Sequence, residues 1–443
     1  MKVTNPSTLE VVKEIPEDTK SVITEKFHRA KAAQGEWAKR SLNDRIAIIR
    51  KFHDLLDSKK ENLAKDLTLE VGKPLQESFN ELNGARGRIQ FFLEAAPKYL
   101  LTQEMHSDGK TKDILSFDPL GVVCNISAWN YPYLVGVNVF IPALIGGNAV
   151  LYKPSEYALL TGLHIEKLMH EAGVPKDIFQ TIVGGPQSGE VLLDLPCDGY
   201  FFTGSYKTGN YIATRVAPKL VPVGLELGGK DPLYVMDTNT DIKSVAANVA
   251  EGCFYNNGQS CCAVERVYVH EKVYDSFIES FVEETKKTKV GAVTRPSHLN
   301  FLESQVQDAV KKGAKILTGG KRGDKGSFFE PTVLVNVNHE MSVMTDETFG
   351  PVIGVMKVKD DNEAIKLMND TEYGLTASVY SQDTDRARKV LSQVEAGTAY
   401  VNCCDRVSPY LPWAGRGHSG LGATLSYLGL LAFVKPRGWH VRG

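Results

Sequence analysis

The pattern of apolar and polar positions changes once along the chain, near residue 119. Before it, residues 21–100 place apolar side chains at helical spacing, as in RIAIIRKFHDLLDSKKENLAKDLTLE, without strand-like alternation. This predicts a helical N-terminal region. After it, short apolar runs such as GVVCNIS and NAVLY alternate with helix-like segments such as EYALLTGLHIEKLMHEAG. Such alternation predicts βαβ units and a parallel sheet, which binds ligands at the carboxyl ends of its strands.

A second alternation of strands and helices follows from DPLYVM to GTAYVN, near residue 401. It predicts helices at about 241–256 and near 271–288, and therefore a second α/β domain. A chain of 443 residues with 42% hydrophobic residues is long and apolar enough for two or three domains with a sizeable core.

Charge and cysteine content exclude several classes of function. The 51 Lys and Arg against 53 Asp and Glu contain no block of like charge, so no nucleic-acid partner is expected. No apolar stretch has the form of a signal peptide or an unbroken membrane span, so we expect no membrane partner and a cytoplasmic location. An odd count of seven cysteines without CxxC spacing predicts reduced thiols, and no metal site is expected.

Three glycine motifs differ in their value as nucleotide sites. GRGHSG, Gly415–Gly420, fits the dinucleotide pattern but follows LPWA rather than a strand. GLELGGKD resembles a P-loop, but Asp231 replaces the magnesium-binding hydroxyl and Glu226 would repel phosphate. FFTGSYKTG is a better candidate, since an apolar strand runs through Gly204 and Ser205 into a helix whose free N–H groups favour an anion. An ordinary glycine turn remains the alternative.

The stretch LYKPSE reads as a strand ending at Lys153, with Ser155 as a helix N-cap and Glu156 in the first helical turn. From these residues alone, a capped and solvated helix start is the stronger interpretation. A cofactor contact at this point therefore depends on the motifs around it.

Seven motifs occur in one chain: ISAWNYPY, LYKPSEYA, FFTGSYKTG, LELGGKDP, NNGQSCCA, DETFGPV and YGLTAS. In this order and spacing the chain resembles the NAD(P)-dependent aldehyde dehydrogenase superfamily from about residue 5 to 435. The resemblance implies NAD as the cofactor, with NADP as an alternative, a small-molecule aldehyde substrate and a homodimer or homotetramer. It also implies a doubly wound α/β cofactor domain (1–99 and 119–226), an α/β catalytic domain (227–411) and an oligomerisation element (100–118 and 412–443).

The same resemblance assigns the site residues. Cys261, two residues after the Gln of the Gly-Gln pair, would be the nucleophile, with Cys262 as a packing neighbour. Glu226 would be the general base, and Asn130 would donate to the oxyanion. The residues implied to contact the cofactor are Trp129, Lys153, Ser155, Glu156, Gly204, Ser205, Glu347 and Phe349. Of these, Lys153 and Glu156 would lie at the adenosine ribose, Ser205 at the pyrophosphate, and Glu347 with Phe349 at the nicotinamide riboside.

The oxidation of an aldehyde requires the same groups, independently of the resemblance. An aldehyde has no leaving group, so hydride can depart only after a nucleophile such as a thiolate has made the carbonyl carbon tetrahedral. The oxyanion then needs fixed donors, and the resulting thioester needs an activated water. Two alternatives remain open: a CoA-acylating dehydrogenase, against which Glu226 argues, and a catalytically silent relative, against which the joint presence of Cys261, Glu226 and Asn130 argues.

The sequence identifies the substrate less clearly than the catalytic residues. Some members that oxidise acidic semialdehydes carry an arginine eight residues after the catalytic Asn, and that position is Asn138 here. Tyr133 and Val135 on the same predicted helix suggest a mixed pocket, with Arg406 as a candidate anion partner. Residues 289–301 also form a shorter connection than is usual in the family.

Overall fold

The computed structural model describes residues 1–443. Its helices are α1 (Lys20–Lys39), α2 (Leu42–Ser58), α3 (Lys60–Val71), α4 (Leu75–Tyr99), α5 (Pro132–Ile145), α6 (Leu159–Ala172), α7 (Pro186–Asp194), α8 (Tyr206–Val216), α9 (Ile242–Phe254), α10 (Tyr274–Lys287), α11 (His298–Lys311), α12 (Ser342–Thr345), α13 (Asp361–Met368), α14 (Thr384–Leu391) and α15 (Ser426–Leu431). Short 3₁₀ turns span Ala217–Lys219 and Tyr255–Gly258.

The strands are β1 (Lys2–Thr4), β2 (Val11–Glu14), β3 (Gln103–Ser107), β4 (Thr111–Pro119), β5 (Val122–Ile126), β6 (Ala149–Lys153), β7 (Phe179–Thr181), β8 (Gly199–Thr203), β9 (Val223–Glu226), β10 (Asp231–Val235), β11 (Val264–His270), β12 (Lys315–Thr318), β13 (Thr332–Val335), β14 (Val352–Val358), β15 (Tyr373–Gly374), β16 (Thr376–Tyr380), β17 (Thr398–Val401), β18 (Arg416–Gly417), β19 (Gly420–Leu421) and β20 (Val434–Arg442).

The N-terminal region is helical, as its periodicity predicts. The side chains of Thr19 and Ser41 accept backbone N–H bonds at the starts of α1 and α2, which satisfies donors that a helix leaves free. Gly72 ends α3 at φ 88°, a conformation that costs glycine little. The buried faces of these helices contribute Phe52, Leu67 and other side chains to the largest hydrophobic core.

Two α/β sheets follow, which confirms the two predicted alternations. The first has strand order β19-β9-β8-β5-β6-β7, and its pairs are parallel except where β19 meets β9. The second has strand order β12-β13-β14-β11-β10-β16-β17 and is parallel except at its β12 edge. Helices cover these sheets, and most central strands are buried throughout, as parallel sheets require.

The first sheet has a topological switch point at β5, which pairs with β6 on one side and β8 on the other. The chain therefore leaves the carboxyl ends of β5, β6 and β8 along the same edge of the sheet. Open α/β sheets bind ligands in the crevice at such an edge. Lys153 ends β6, and Trp129 and Gly204 lie in the segments that follow β5 and β8.

A separate antiparallel sheet joins the hairpin β3-β4 to the C-terminal strand in the order β20-β4-β3. It leaves Met105, Trp439 and Val441 exposed. None of the helices has the length and apolar content needed to cross a bilayer.

Candidate active site

The segment that carries the paired cysteines begins with an unusual backbone. Asn256, Asn257 and Gly258 lie consecutively in the left-handed region, at φ 51°, 61° and 71°. Asparagine and glycine are the residue types that adopt this conformation at the lowest cost. The sequence NNG therefore supplies the tight turn that leads from α9 into the cysteines, and we call residues 255–262 the nucleophile loop.

Buried side chains fix this loop. The Asn256 amide donates to the carbonyl oxygens of Asn130 and Gln259 at 3.0 and 2.9 Å. The Gln259 side-chain oxygen accepts a bond from the backbone N–H of Thr294 at 2.9 Å. These bonds join the loop to the segment after β5 and to the connection before α11.

The two adjacent cysteines lie in different environments. Cys261 is half-buried and lines a cavity, whereas Cys262 is only 3% exposed. The Cys262 thiol donates to Asp405 at 3.0 Å. Its interaction with the Cys261 thiol, together with burial, raises the pKa of Cys262 well above its usual range. Of the two, Cys261 has the access that a nucleophile requires.

Asn130 is held beside the nucleophile loop. Its Nδ2 donates to the carbonyl of Gln259 at 3.2 Å, which leaves the second N–H of that amide free. Its backbone carbonyl accepts a bond from Lys73 Nζ at 2.7 Å, and Lys73 is itself fully buried in an ion pair with Glu81. The amide is therefore fixed in place before any ligand arrives.

Glu226 is the last residue of β9, and Gly420 pairs with it from β19. The strand extends through Glu226, and the glycines of the LELGGKDP motif follow it, so the carboxylate lies at the end of a paired strand. The hydroxyl of Thr424 donates to its carboxylate. Burial raises the pKa of Glu226, while the Thr424 bond and the charge of Arg88 act in the opposite direction.

A cavity of about 170 Å³ brings together Cys261, Glu226 and Asn130 with Trp129, Ser205, Glu347 and Phe349. Its far wall is rigid, because Glu265 accepts the backbone N–H groups of Thr348 and Phe349 at 2.7 and 2.8 Å and pairs with Lys230. Burial and the nearby Glu265 charge raise the pKa of Glu347 to about 8.

A second cavity, of about 340 Å³, continues along the switch-point edge. Its lining includes the predicted cofactor residues Trp129, Lys153, Ser155, Glu156 and Gly204. We call the two cavities together the dinucleotide groove. The N-terminus of α8, at Ser205, has no side-chain cap, so its first N–H groups are free for an anionic ligand.

The local structure after β6 differs from the expected helix start. The α6 helix begins at Leu159 with Ala158 as its N-cap, so Ser155 is not the cap and Glu156 is not in the first helical turn. Instead Ser155 closes a turn. Its hydroxyl accepts a hydrogen bond from the N–H of Tyr157 at 3.3 Å, and its backbone carbonyl accepts one from the N–H of Ala158. This turn directs residues 155–157 into the groove.

Sequence reasoning missed two residues that line the site, Arg295 and His298, and two that lie behind it, Arg88 and Glu265. Arg295 and His298 line the groove from the catalytic side, and Glu265 holds its wall. Arg88 is buried on α4 and donates to Asn138 Oδ1 at 3.0 Å. None of them lies in a recognisable motif, and each reaches the site through contacts that are distant in sequence.

Arg406, the candidate anion partner, lies elsewhere. Its guanidinium is within 3.5 Å of Glu251, and it lines a different cavity from Cys261. The connection before α11 runs close to the site: Asn257 binds the N–H of Gly291 and the carbonyl of Ala292.

The fold and the groove are those of a nicotinamide-dinucleotide-dependent oxidoreductase. The family model for the aldehyde dehydrogenase family matches residues 1–437, and the chain belongs to that family. It is 34% identical to a chloroplastic aminoaldehyde dehydrogenase of Arabidopsis thaliana, over 99% of this chain and 94% of the relative. It is also 34% identical to the NADP⁺-dependent succinate-semialdehyde dehydrogenase of Deinococcus radiodurans, over 98% and 93%.

A solved structure of betaine aldehyde dehydrogenase from Staphylococcus aureus in complex with NAD⁺ has the same fold. The TM-score is 0.95 at 31% sequence identity, and the match covers 100% of this chain and 92% of that one. The protein is therefore an NAD(P)-dependent aldehyde dehydrogenase, with the α/β architecture expected from its motifs.

Proposed function

We propose that the protein oxidises an aldehyde whose far end carries a carboxylate, and that it prefers NAD⁺. The observation that carries the substrate class is Arg88, which is 8% exposed and forms no ion pair. Only its Nη1 is bonded, to the carbonyl of Leu134 and to Asn138. Its Nε and Nη2 have no partner within the protein, so a carboxylate that reaches them can form a charge-assisted hydrogen bond with a largely buried cation.

The position of Arg88 supports this substrate class. It donates to Asn138, the position at which some semialdehyde-oxidising members carry their own arginine, so this chain supplies the cation from α4 instead of α5. Glu226, Cys262 and Cys261 are the groups whose charges act on it most strongly. Of the three proteins compared above, two are named for amino or betaine aldehydes and one for succinate semialdehyde. A buried cation attracts an anionic substrate and repels a cationic one, which favours a semialdehyde that carries a carboxylate.

The proposed reaction begins at Cys261. Its thiolate attacks the aldehyde carbon, and the free N–H of Asn130 with the backbone N–H of Cys261 stabilises the oxyanion, each by about 3 kcal/mol. When the oxyanion collapses, hydride leaves the carbon of the thiohemiacetal and a thioester remains on Cys261. NAD⁺ supplies the hydride acceptor.

Glu226 completes the cycle by removing a proton from water, which attacks the thioester and frees the acid and the thiol. The net change is aldehyde, NAD⁺ and water to carboxylic acid, NADH and a proton. Glu226 would be dispensable if CoA took the acyl group, so its presence supports hydrolysis over the acylating alternative. A catalytically silent role is not supported, because the family relatives are named as dehydrogenases.

The groove residues support NAD⁺ as the favoured cofactor. Glu156 lines the second cavity, which we call the adenosine-side cavity, together with Lys153. Its carboxylate can accept hydrogen bonds from both hydroxyls of the adenosine ribose. The same carboxylate would repel a 2′-phosphate, which Lys153 would offset only in part. The groove fits a dinucleotide because an uncapped helix N-terminus meets the junction of its two cavities.

For the domain organisation we propose the units expected from the sequence: 1–99 with 119–226, 227–411, and 100–118 with 412–443. The six-stranded and seven-stranded sheets support the first two. The third is supported by β20 on β4, whose exposed apolar side chains suit contact with a second copy in a homodimer or homotetramer. A cytoplasmic location remains our proposal from the odd number of cysteines.

The substrate proposal is tested by comparing kcat/KM for succinic semialdehyde and for butanal, a neutral aldehyde of equal length. We expect Arg88→Gln to lose about tenfold or more with the acid and little with butanal, and Arg88→Lys to keep part of the preference. Arg406→Gln is the matched control, because that arginine lies outside the site. Equal losses on both aldehydes would show that Arg88 acts on the catalytic groups and not on the substrate.

A further inference from the structure

The two cavities of the dinucleotide groove meet at a junction that contains one unpartnered cation. Five residues line both cavities: Ala128, Trp129, Thr203, Gly204 and Arg295. Only Arg295 is charged. It comes from the connection between α10 and α11, which faces the sheet edge across the groove.

The guanidinium of Arg295 is held by an aromatic surface and by no acid. It lies 5.7 Å from the ring centroid of Tyr157, and Tyr157 packs edge-on against Trp129. It forms no ion pair, although Glu156 and Glu190 line the adenosine-side cavity. Arginine stacked on an aromatic ring keeps its N–H fork free for a planar or phosphate ligand.

The backbone before Arg295 is anchored, so its position does not depend on a ligand. Thr294 is buried, with its N–H bonded to the Gln259 side chain and its hydroxyl to the carbonyl of Val71 at 2.5 Å. The N–H of Val293 bonds to Ser327, and that of Ala292 to Gly72. The short connection thus presents Arg295 from a fixed point beside the nucleophile loop.

In a dinucleotide the diphosphate joins the two nucleoside halves, so it must cross the junction of the two cavities. On one side of that junction stand Gly204 and the uncapped N-terminus of α8, and on the other stands Arg295. We infer that Arg295 binds the cofactor's diphosphate from the catalytic side and closes the groove over it. This inference rests on the proposed cofactor groove and adds a cation that the sequence motifs do not contain.

The test measures binding, not turnover, with NADH, ADP-ribose and adenosine as probes. ADP-ribose keeps the diphosphate and lacks nicotinamide, whereas adenosine lacks both. We expect Arg295→Gln to weaken NADH and ADP-ribose by about the same factor, near tenfold, and to leave adenosine unchanged. Arg295→Lys should keep part of the affinity, and added salt should reduce the difference between wild type and Arg295→Gln.

Arg388→Gln is the matched control, since Arg388 is an exposed arginine on α14 without an ion-pair partner. It should leave all three affinities unchanged, and thermal melts should show that both glutamine variants fold. Unchanged ADP-ribose affinity in Arg295→Gln would overturn the inference, and a loss confined to NADH would place Arg295 at the nicotinamide riboside instead. If the wild type failed to bind NADH, the proposal that the two cavities bind the dinucleotide would be wrong.

Discussion

The nucleophile loop and the dinucleotide groove are built in opposite ways. In the loop, Asn256, Asn257 and Gln259 are at most 1% exposed, and their side chains bind the segment after β5 and the connection before α11. In the groove, Ser205 and Arg295 are exposed, and the α8 N-terminus is left uncapped. Chemistry needs atoms held within a fraction of an ångström, whereas a cofactor must enter and leave.

The contrast predicts that replacing a reacting group of the catalytic cavity removes activity, whereas replacing a residue of the second cavity changes cofactor choice. The largest effect should come from Cys261→Ser, which we expect to lower kcat by about 10³-fold or more because the hydroxyl is a far weaker nucleophile. Cys262→Ser should keep most activity, since that thiol is buried against Asp405. NADH formation and the order of labelling by iodoacetamide measure both, and an active Cys261→Ser labelled at Cys262 would reverse the assignment.

Asn130→Ala should have the next largest effect, about 100-fold in kcat, because one fixed oxyanion donor is lost. The loop should remain bound, since Asn256 donates to the backbone carbonyl of residue 130 and not to its side chain. Steady-state kinetics with a thermal melt as the folding control test this. A small loss in kcat with a large rise in KM would show that Asn130 binds substrate and does not stabilise the transition state.

Thr424→Val should change the pH dependence of kcat. The Thr424 hydroxyl bonds the ionised carboxylate of Glu226 and so lowers its pKa against the effect of burial. Without that bond the pKa rises, and Glu226 becomes ionised only at higher pH. The acid limb of the kcat profile should therefore move upward, with kcat at alkaline pH little changed. If the acid limb of the kcat profile did not move, the ionisation of Glu226 would not control the step that limits kcat.

The smallest effect is expected in the groove. Glu156→Ser should raise kcat/KM for NADP⁺ relative to NAD⁺ by about tenfold. Two like charges about 4 Å apart cost on the order of 4 kcal/mol at an effective dielectric near 20, but the half-buried side chain can swing away. If the ratio of kcat/KM for the two cofactors did not change, or if the wild type preferred NADP⁺, Glu156 would not determine cofactor preference.

Sequence reasoning located the parts of the site that depend on short motifs. Cys261, Glu226 and Asn130 come together in one cavity because each lies at the end of a strand or in a turn whose residue types dictate its shape. The fold class followed for the same reason, since alternating apolar strands and amphipathic helices specify a parallel sheet.

What the sequence did not reveal depends on contacts between distant segments. Arg88 is one of several charged residues on α4, and only the packing of α4 against α5 brings it to Asn138. Arg295 lies in a connection whose path is fixed by bonds to Val71 and Gln259. The helix start expected at Ser155 was wrong because a turn intervenes, and a capping residue alone does not distinguish the two.

The central claim is that Cys261 carries the acyl group and that Glu226 is needed to release it. The most direct measurement is mass spectrometry of Glu226→Gln quenched after mixing with aldehyde and NAD⁺. The glutamine keeps the size of the side chain and its acceptor for Thr424, so the fold should hold. We predict one equivalent of NADH formed in a rapid phase and an acyl adduct on the peptide that contains Cys261, mapped to that residue. Continued turnover without an adduct, or an adduct on Cys262, would contradict the account.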